Sequence, residues 1–289
     1  MTDEFTRVPW YRLALTKRWL SYLLLTVVFA AACVGLGMWQ FARLDEAKHE
    51  VARVQANYDA QPVPLRNIVT NDSSFDDANK WKPVTVTGTY LSDKQFLVRS
   101  RPREQQAGFE VLTPLLMADG TVFIVDRGWL PAQNSADAVP RIPTPPSGTV
   151  TVVSRLKAGE PSIAGRGVSN GQLATIELPL VQSLLNRPTV TGAYGLLASE
   201  SPASSEAAPL PALRPQVDEG PHLSYALQWL LFALMGFFGL GWAIRNELKI
   251  RNANLPEEQA KAAARRAERV AKPTEEDIED ALVDAQSGQ

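Results

Sequence analysis

The chain has 289 residues, 45% of them hydrophobic, with 29 basic against 31 acidic side chains. Near-neutral charge without a basic, aromatic-interleaved stripe argues for no nucleic acid as partner. A single cysteine excludes a disulfide framework or a cysteine-built metal or redox pair, and two histidines, His49 and His222, exclude a multi-histidine zinc or copper site.

Residues 1–18 form a basic N-terminal tail, with Arg7, Arg12, Lys17 and Arg18. No charged residue occurs between Arg18 and Arg43, which leaves the roughly 20 apolar residues that cross a bilayer and predicts a transmembrane helix over 19–42. A cleaved signal peptide is the alternative, since Ala30, Ala31 and Ala32 resemble a cleavage region. The apolar run continues to Phe41, beyond the roughly 7–15 residues of a signal core, so a retained anchor is expected rather than a leader or a Cys33 lipoprotein. Asp3 and Glu4 with a short leader do not suit a mitochondrial transit peptide, and a bacterial plasma membrane is expected.

An extracytoplasmic, β-rich domain is expected over 43–198. It opens as a helical extension to about Ala56, where Leu44, Ala47, Val51 and Val54 recur at helical spacing. In "KPVTVTGTY" the period becomes two, as in a half-buried strand. Further strands are read in "KQFLVRS", "FEVLTPLL", "TVFIVDRGW", "TVTVVSRL", "QLATIEL" and "PTVTGAYGLL", divided by turn signals at 118–120, 142–148 and 164–171. The pattern predicts a mostly antiparallel β domain, a small barrel or sandwich, with one helix at "LPLVQSLLN". Residues 199–221 begin as a Pro/Ala/Ser mixture with little large apolar surface and read as a semi-extended tether.

The second span is predicted over 222–244, because no charge falls between His222 and Arg245. Arg7, Arg12, Lys17 and Arg18 before the first span and Arg245, Lys249 and Arg251 after the second place both termini in the cytoplasm. The fold class is therefore a membrane protein with two transmembrane α-helices bracketing the β domain. The tail, 245–289, divides at Pro273 into a basic and an acidic half and reads as a solvated charged segment.

Candidate site residues gather at the two outer membrane edges. Trp39 and Arg43 lie four apart with Gln40 beside them. Anchoring at the headgroups explains the tryptophan and arginine, whereas an amide at that depth requires a hydrogen-bond partner. His222, Tyr225 and Trp229 form a stripe at i, i+3 and i+7, an aromatic belt to which the histidine adds a ligand for a metal or haem iron. Ala31 and Gly35, with Gly236, Gly239 and Gly241, are small residues that let the two spans approach and bring these groups onto one shelf. His49 lies too far along the helix to join them.

In "VDRGWLP", Arg127 and Trp129 read either as a strand end with a core tryptophan or as a face towards the membrane or a partner. "GVSNG", 167–171, matches a nucleophile elbow formally, but no strand leads into Ser169 and no helix follows, so a turn is expected.

These residues resemble the membrane-anchored Surfeit-locus protein 1 group of cytochrome c oxidase assembly factors, from about Cys33 to Arg245. The carriers are Gly37, Trp39, Gln40, Arg43 and Lys48 at the first exit, "GFEVLTPL" and "RGWLP" in the middle, and "HLSYALQW" at the second entrance. Gly220 and Pro221 depart from the asparagines usual there. The resemblance implies a non-enzymatic role in building an aa3-type oxidase, at haem a delivery or retention in the core subunit. It implies the core subunit and the haem a synthesis machinery as partners besides the lipid bilayer, with haem a bound transiently. His222, Tyr225, Trp229, Trp39, Gln40 and Arg43 would form the cofactor site, and Lys48, Arg127, Gly128, Trp129 and Pro131 the partner contacts. A permanently bound accessory subunit of the oxidase is the chief rival, and a hydrolase using Ser169 a third reading.

Overall fold

The computed structural model describes residues 9–132 and 140–271, in a helical unit, residues 1–44 with 220–289, and a β-rich unit, Asp45–Glu219. In chain order the elements are α1 (Trp10–Ala14), α2 (Lys17–Asn57), β1 (Val63–Pro64), β2 (Pro83–Tyr90), β3 (Phe96–Val98), β4 (Gly108–Met117), β5 (Val122–Pro131), β6 (Thr149–Ala158), β7 (Gln172–Leu173), α3 (Leu178–Leu185), β8 (Ala193–Ser201), α4 (His222–Asn252) and α5 (Pro256–Ala271). The acidic half of the tail, along with Asp3, Glu4 and Arg7, lies outside the described residues.

The 41 residues of α2 amount to about 60 Å of helix, twice the hydrocarbon thickness of roughly 30 Å. That length is why one helix serves both as an apolar stretch and as the charged opening of the β-rich unit. Both α2 and α4 carry a stretch long and apolar enough to cross a bilayer, of which 17% and 6% is buried, whereas a core helix of a soluble protein is covered.

Within the helical unit the seam between α2 and α4 is built from Ala30, Cys33 and Ala233, with Trp229 and Phe232 packed on it. Gly37 faces the seam, where a Cβ would sit 3.5 Å from the Ala226 carbonyl oxygen. Gly236 approaches Thr26 and Phe29 as its size suggested, but Gly35, Gly239 and Gly241 face open space and Ala31 is exposed. The helices therefore meet along 30, 33, 37 and 40 of α2, one residue round from the predicted small-residue pair, because van der Waals contact in a bilayer selects a continuous stripe rather than one spacing. Towards the far ends of the same helices Arg18 pairs with Glu247, which also accepts from Arg251 at 2.7 Å.

In the β-rich unit β2 alternates as its sequence does: Val84, Val86 and Tyr90 point inward while Thr87 and Thr89 face solvent. It pairs antiparallel with β6, β6 with β8, and β4 with β5, while β5 and β8 run parallel. Gly88–Tyr90 of β2 also pairs with Leu115–Met117 of β4, closing a five-stranded barrel. The opposite end of β4 takes β3 as partner instead, so the barrel flares there. In order of appearance the ring runs first, second, third, fifth, fourth and back to first, the connectivity of a Greek-key barrel of the OB type.

Along β5 the side chains alternate between two apolar layers. Phe123 and Val125 join Val84, Val86, Leu115 and Val152 inside the barrel. Val122 and Ile124 join an outer layer with Leu178, Val181 and Leu185 of α3 and Val54 of α2. Burial on both faces explains why β5 is a continuous apolar run before Asp126. "QLATIEL" contracts to the two residues of β7, with Ile176 and Leu178 buried as packing residues rather than strand.

The expected tether begins later and is more closely held than its composition suggested. β8 runs to Ser201, Leu210 exchanges backbone hydrogen bonds with Trp129 at 2.8 and 2.9 Å, and Glu206 accepts from Arg141 at 2.9 Å. Backbone pairing needs no large side chain, so a search for apolar surface overlooks it.

Candidate functional site

Gln40 and His222 meet at the α2–α4 seam, where Gln40 Oε1 lies 2.9 Å from His222 Nδ1. On α2, Gln40 follows Gly37 at helical spacing, and the missing side chain there lets the Ala226 backbone approach. On α4, His222 stands one turn before Ala226, which is fully buried. Both polar side chains are thereby held at the edge of an apolar contact and are partly buried. An amide oxygen that accepts from Nδ1–H would fix the tautomer whose Nε2 lone pair ligates a metal.

The other predicted shelf residues divide. Trp229 turns into the seam and stacks edge-on with Phe232, ring centroids 5.8 Å apart. Trp39 is 56% and Tyr225 48% exposed, so they stand on the outer surface of the helical unit rather than against His222. Arg43 and Lys48 are exposed, and so is His49. The stripe that faces α2 is therefore 222, 226, 229 and 233, not 222, 225 and 229: the helical period of 3.6 carries Tyr225 round to the open side.

In the barrel, Arg127 and Trp129 do not form an outward face; the packing alternative is the geometry found. Arg127 has no exposed side-chain surface, lies 3.5 Å from Glu200 and donates to the Pro143 carbonyl at 2.9 Å. Its guanidinium sits 5.7 Å from the ring centroid of Tyr90, whose hydroxyl donates to Glu200 at 2.9 Å. Burial, and then the Glu200 charge, push the Tyr90 hydroxyl well above the usual phenol range. Trp129 is 7% exposed and donates from Nε1 to the Arg101 carbonyl at 2.6 Å. Gly128 adopts a φ of +128° beside the Leu210 carbonyl, and only Pro131 of this group is exposed. Sequence pattern missed this because an arginine inside a barrel is affordable only once its carboxylate, 73 residues later, is known.

Ser169 is exposed and closes a turn, exchanging backbone hydrogen bonds with Gln172 at 3.0 and 2.9 Å, with Asn170 and Gly171 at positive φ. That geometry is a turn and not an elbow between strand and helix.

Two helices long and apolar enough to cross a bilayer, flanking a closed five-stranded barrel and carrying a glutamine–histidine pair at their seam, define a class of helix-flanked barrel proteins. Comparison with known sequences makes the class specific. The model of the SURF1 family matches residues 27–234, and the chain belongs to that family. A SURF1-like protein of Mycobacterium bovis is 36% identical over 248 residues, covering 83% of this chain and 89% of its own. A SURF1-like protein of Dictyostelium discoideum is 31% identical over 107 residues, 35% of this chain and 40% of its own. The cytochrome oxidase assembly protein SHY1 of Saccharomyces cerevisiae is 26% identical over 117 residues, 39% of this chain and 30% of its own.

Proposed function

We propose that this protein is an assembly factor for an aa3-type cytochrome c oxidase, acting where haem a is delivered to or kept in the core subunit. Family membership and the cytochrome oxidase assembly role of the yeast relative support the assembly reading. The observation that carries the finer reading is the Gln40–His222 contact of 2.9 Å, which leaves the imidazole Nε2 lone pair for haem iron. Haem a is the cargo, and the chain's part is to offer and release one axial ligand without chemistry of its own. Arg43 supplies a cation for a propionate, and Trp39 or Tyr225 an exposed ring for the porphyrin plane. In this reading α2 and α4 span a bacterial plasma membrane, with both termini cytoplasmic and the barrel outside. The exposed Lys48 on α2 and Pro131 at the end of β5 are then left for the core subunit or the haem a synthesis machinery.

The test is a reduced-minus-oxidised spectrum of membranes from a deletion strain carrying either the wild type or His222→Ala at equal abundance. The expected outcome is a lowered haem a band on deletion, restored by the wild type and not by the variant. Full restoration by His222→Ala would remove the histidine from the mechanism, and an unchanged band on deletion would overturn the assembly reading. Stoichiometric retention of the protein in purified mature oxidase would favour an accessory subunit.

A further inference from the structure

Beneath the β3–β4 connection, where the barrel flares, a cavity of about 330 Å³ is lined by Asp126, Glu110, Lys157, Trp81 and Trp129. Its size falls in the range of small-molecule sites, and its walls are two indoles with Leu196 and Leu213. Most polar groups around it are committed. Arg101 lies 3.0 Å from Glu110 and pairs with Glu160, which also accepts from Ile176 N at 3.0 Å. Arg103 donates to the Pro211 carbonyl at 2.8 Å, and Glu50 accepts from both Lys80 and Trp81 at 2.8 Å.

Three groups are not committed. Lys157 Nζ makes no hydrogen bond or ion pair among the described residues and lies 6.0 and 5.9 Å from the ring centroids of Trp81 and Tyr194. Asp126 is 2% exposed and uses Oδ1 to accept from Gly128 N at 2.9 Å, while Oδ2 has no partner among the described residues. Tyr194, paired across the sheet with Lys157 and 1% exposed, has a hydroxyl without a partner among the described residues. Burial, and then the Glu110 charge, hold the Asp126 carboxyl well above the usual carboxylate range, and burial raises Glu110 as well. A buried carboxyl that keeps its proton is a hydrogen-bond donor. Next to it stands the Lys157 ammonium, which makes no close contact with a carboxylate among the described residues but feels the charges of Glu110, Glu160 and Asp126 at longer range, and it shares the same apolar walls.

We propose that this cavity binds a small organic carboxylate on a flat apolar body, the carboxylate taken by Lys157 and the Asp126 carboxyl and the body lying against Trp81 and Trp129. The site lies wholly within the β-rich unit and does not rest on the oxidase reading. The elements around it contribute Arg101 and Arg103 from the β3–β4 connection, Glu110 from β4, Lys157 and Glu160 from β6 and its exit, and Tyr194 from β8. An anionic ligand adds to the carboxylates already present, so binding weakens as pH rises through the raised carboxyls and strengthens as they take up protons.

The experiment is calorimetric titration of the full chain in detergent micelles with 3-phenylpropionate, its amide and 3-phenylpropylamine. The carboxylate is expected to bind saturably, at least tenfold more tightly than either analogue and more tightly at pH 6 than at pH 8. Lys157→Met is expected to weaken it at least tenfold while the variant keeps the folded near-ultraviolet circular dichroism of the wild type, and titration of that variant also corrects for partition into the micelle. Asp126→Asn keeps both the acceptor for Gly128 and a donor towards the cavity, so it is expected to retain binding and flatten the pH dependence. No saturable binding, equal binding of the amide, preference for the amine, or wild-type affinity in Lys157→Met would each overturn the proposal. A tripeptide with a free C-terminal phenylalanine that binds more tightly than phenylpropionate would replace the small molecule by a chain terminus.

Discussion

Replacing Arg127 with methionine keeps most of the side-chain volume and removes only the charge and its donors, which separates an interior role from a surface one. Arg127 is the cation nearest Glu200, at 3.5 Å, and Glu200 has 8% of its side-chain surface exposed. Removing one partner of a buried pair costs roughly 3–5 kcal/mol, most of it from the charge left behind. A stranded carboxylate escapes by taking up a proton, which for an ordinary glutamate costs about 3.7 kcal/mol at pH 7 and about 1 kcal/mol at pH 5. The loss is thus bounded near 4 kcal/mol at pH 7 and shrinks as pH falls. For a unit the size of Asp45–Glu219 that corresponds to a midpoint lowered by about 8–16 °C. Near-ultraviolet circular dichroism on heating the detergent-solubilised chain reads it, at pH 7 and at pH 5. Adding Glu200→Gln removes the charge and keeps an oxygen for the Tyr90 hydroxyl, so Arg127→Met/Glu200→Gln should recover most of the loss. A single variant that loses less than about 1 kcal/mol, or a double variant no more stable than the single, would refute the interior ion-pair reasoning and return Arg127 to a role at a surface.

Under the haem reading proposed above, Gln40→Leu removes the partner of His222 Nδ1 and is expected to weaken haem binding by about 10–100-fold, short of His222→Ala; spectral titration of the purified variants that shows no haem binding at all would overturn that reading. Gly128→Ala places a Cβ 2.3 Å from the Leu210 carbonyl oxygen at a φ of +128°. It should cost about 1–3 kcal/mol or more, and release of the 202–213 segment should appear as faster proteolysis there. Asp126 has a raised carboxyl, so its contribution to stability is complete below the ordinary aspartate range and is lost as pH rises through the folded value. The midpoint of Asp126→Asn should accordingly gain on the wild type as pH rises from the ordinary aspartate range; a difference that stays constant throughout would contradict a raised Asp126. Ser169 closes an exposed turn, so a fluorophosphonate probe should leave the native protein unlabelled and Ser169→Ala should behave as the wild type.

What could be read in advance depended on whether a residue's environment is local. The alternation in "PVTVTGTY" reports its own two faces, and β2 follows it residue by residue. The charge-free runs report their own solvent, and α2 and α4 lie there. Gln40 was also legible, because an amide among apolar neighbours demands a partner whichever residue supplies it. The seam was legible in kind and not in phase: small residues would mediate it, but which face of α2 they occupy is decided by Ala226 and Ala233 on another helix. Arg127 and Asp126 show the limit most plainly. They are consecutive in one strand and both buried, yet Arg127 points into the barrel towards Glu200 while Asp126 points out towards Lys157. Shifting β8 by one residue against its neighbours would exchange the faces of its residues, taking Glu200 from Arg127 and Tyr194 from its place beside Lys157. The chemistry of both charges is therefore a property of register, held by the pairing of Val125 with Gly195 and Lys157 with Tyr194, and no window along the chain contains both partners.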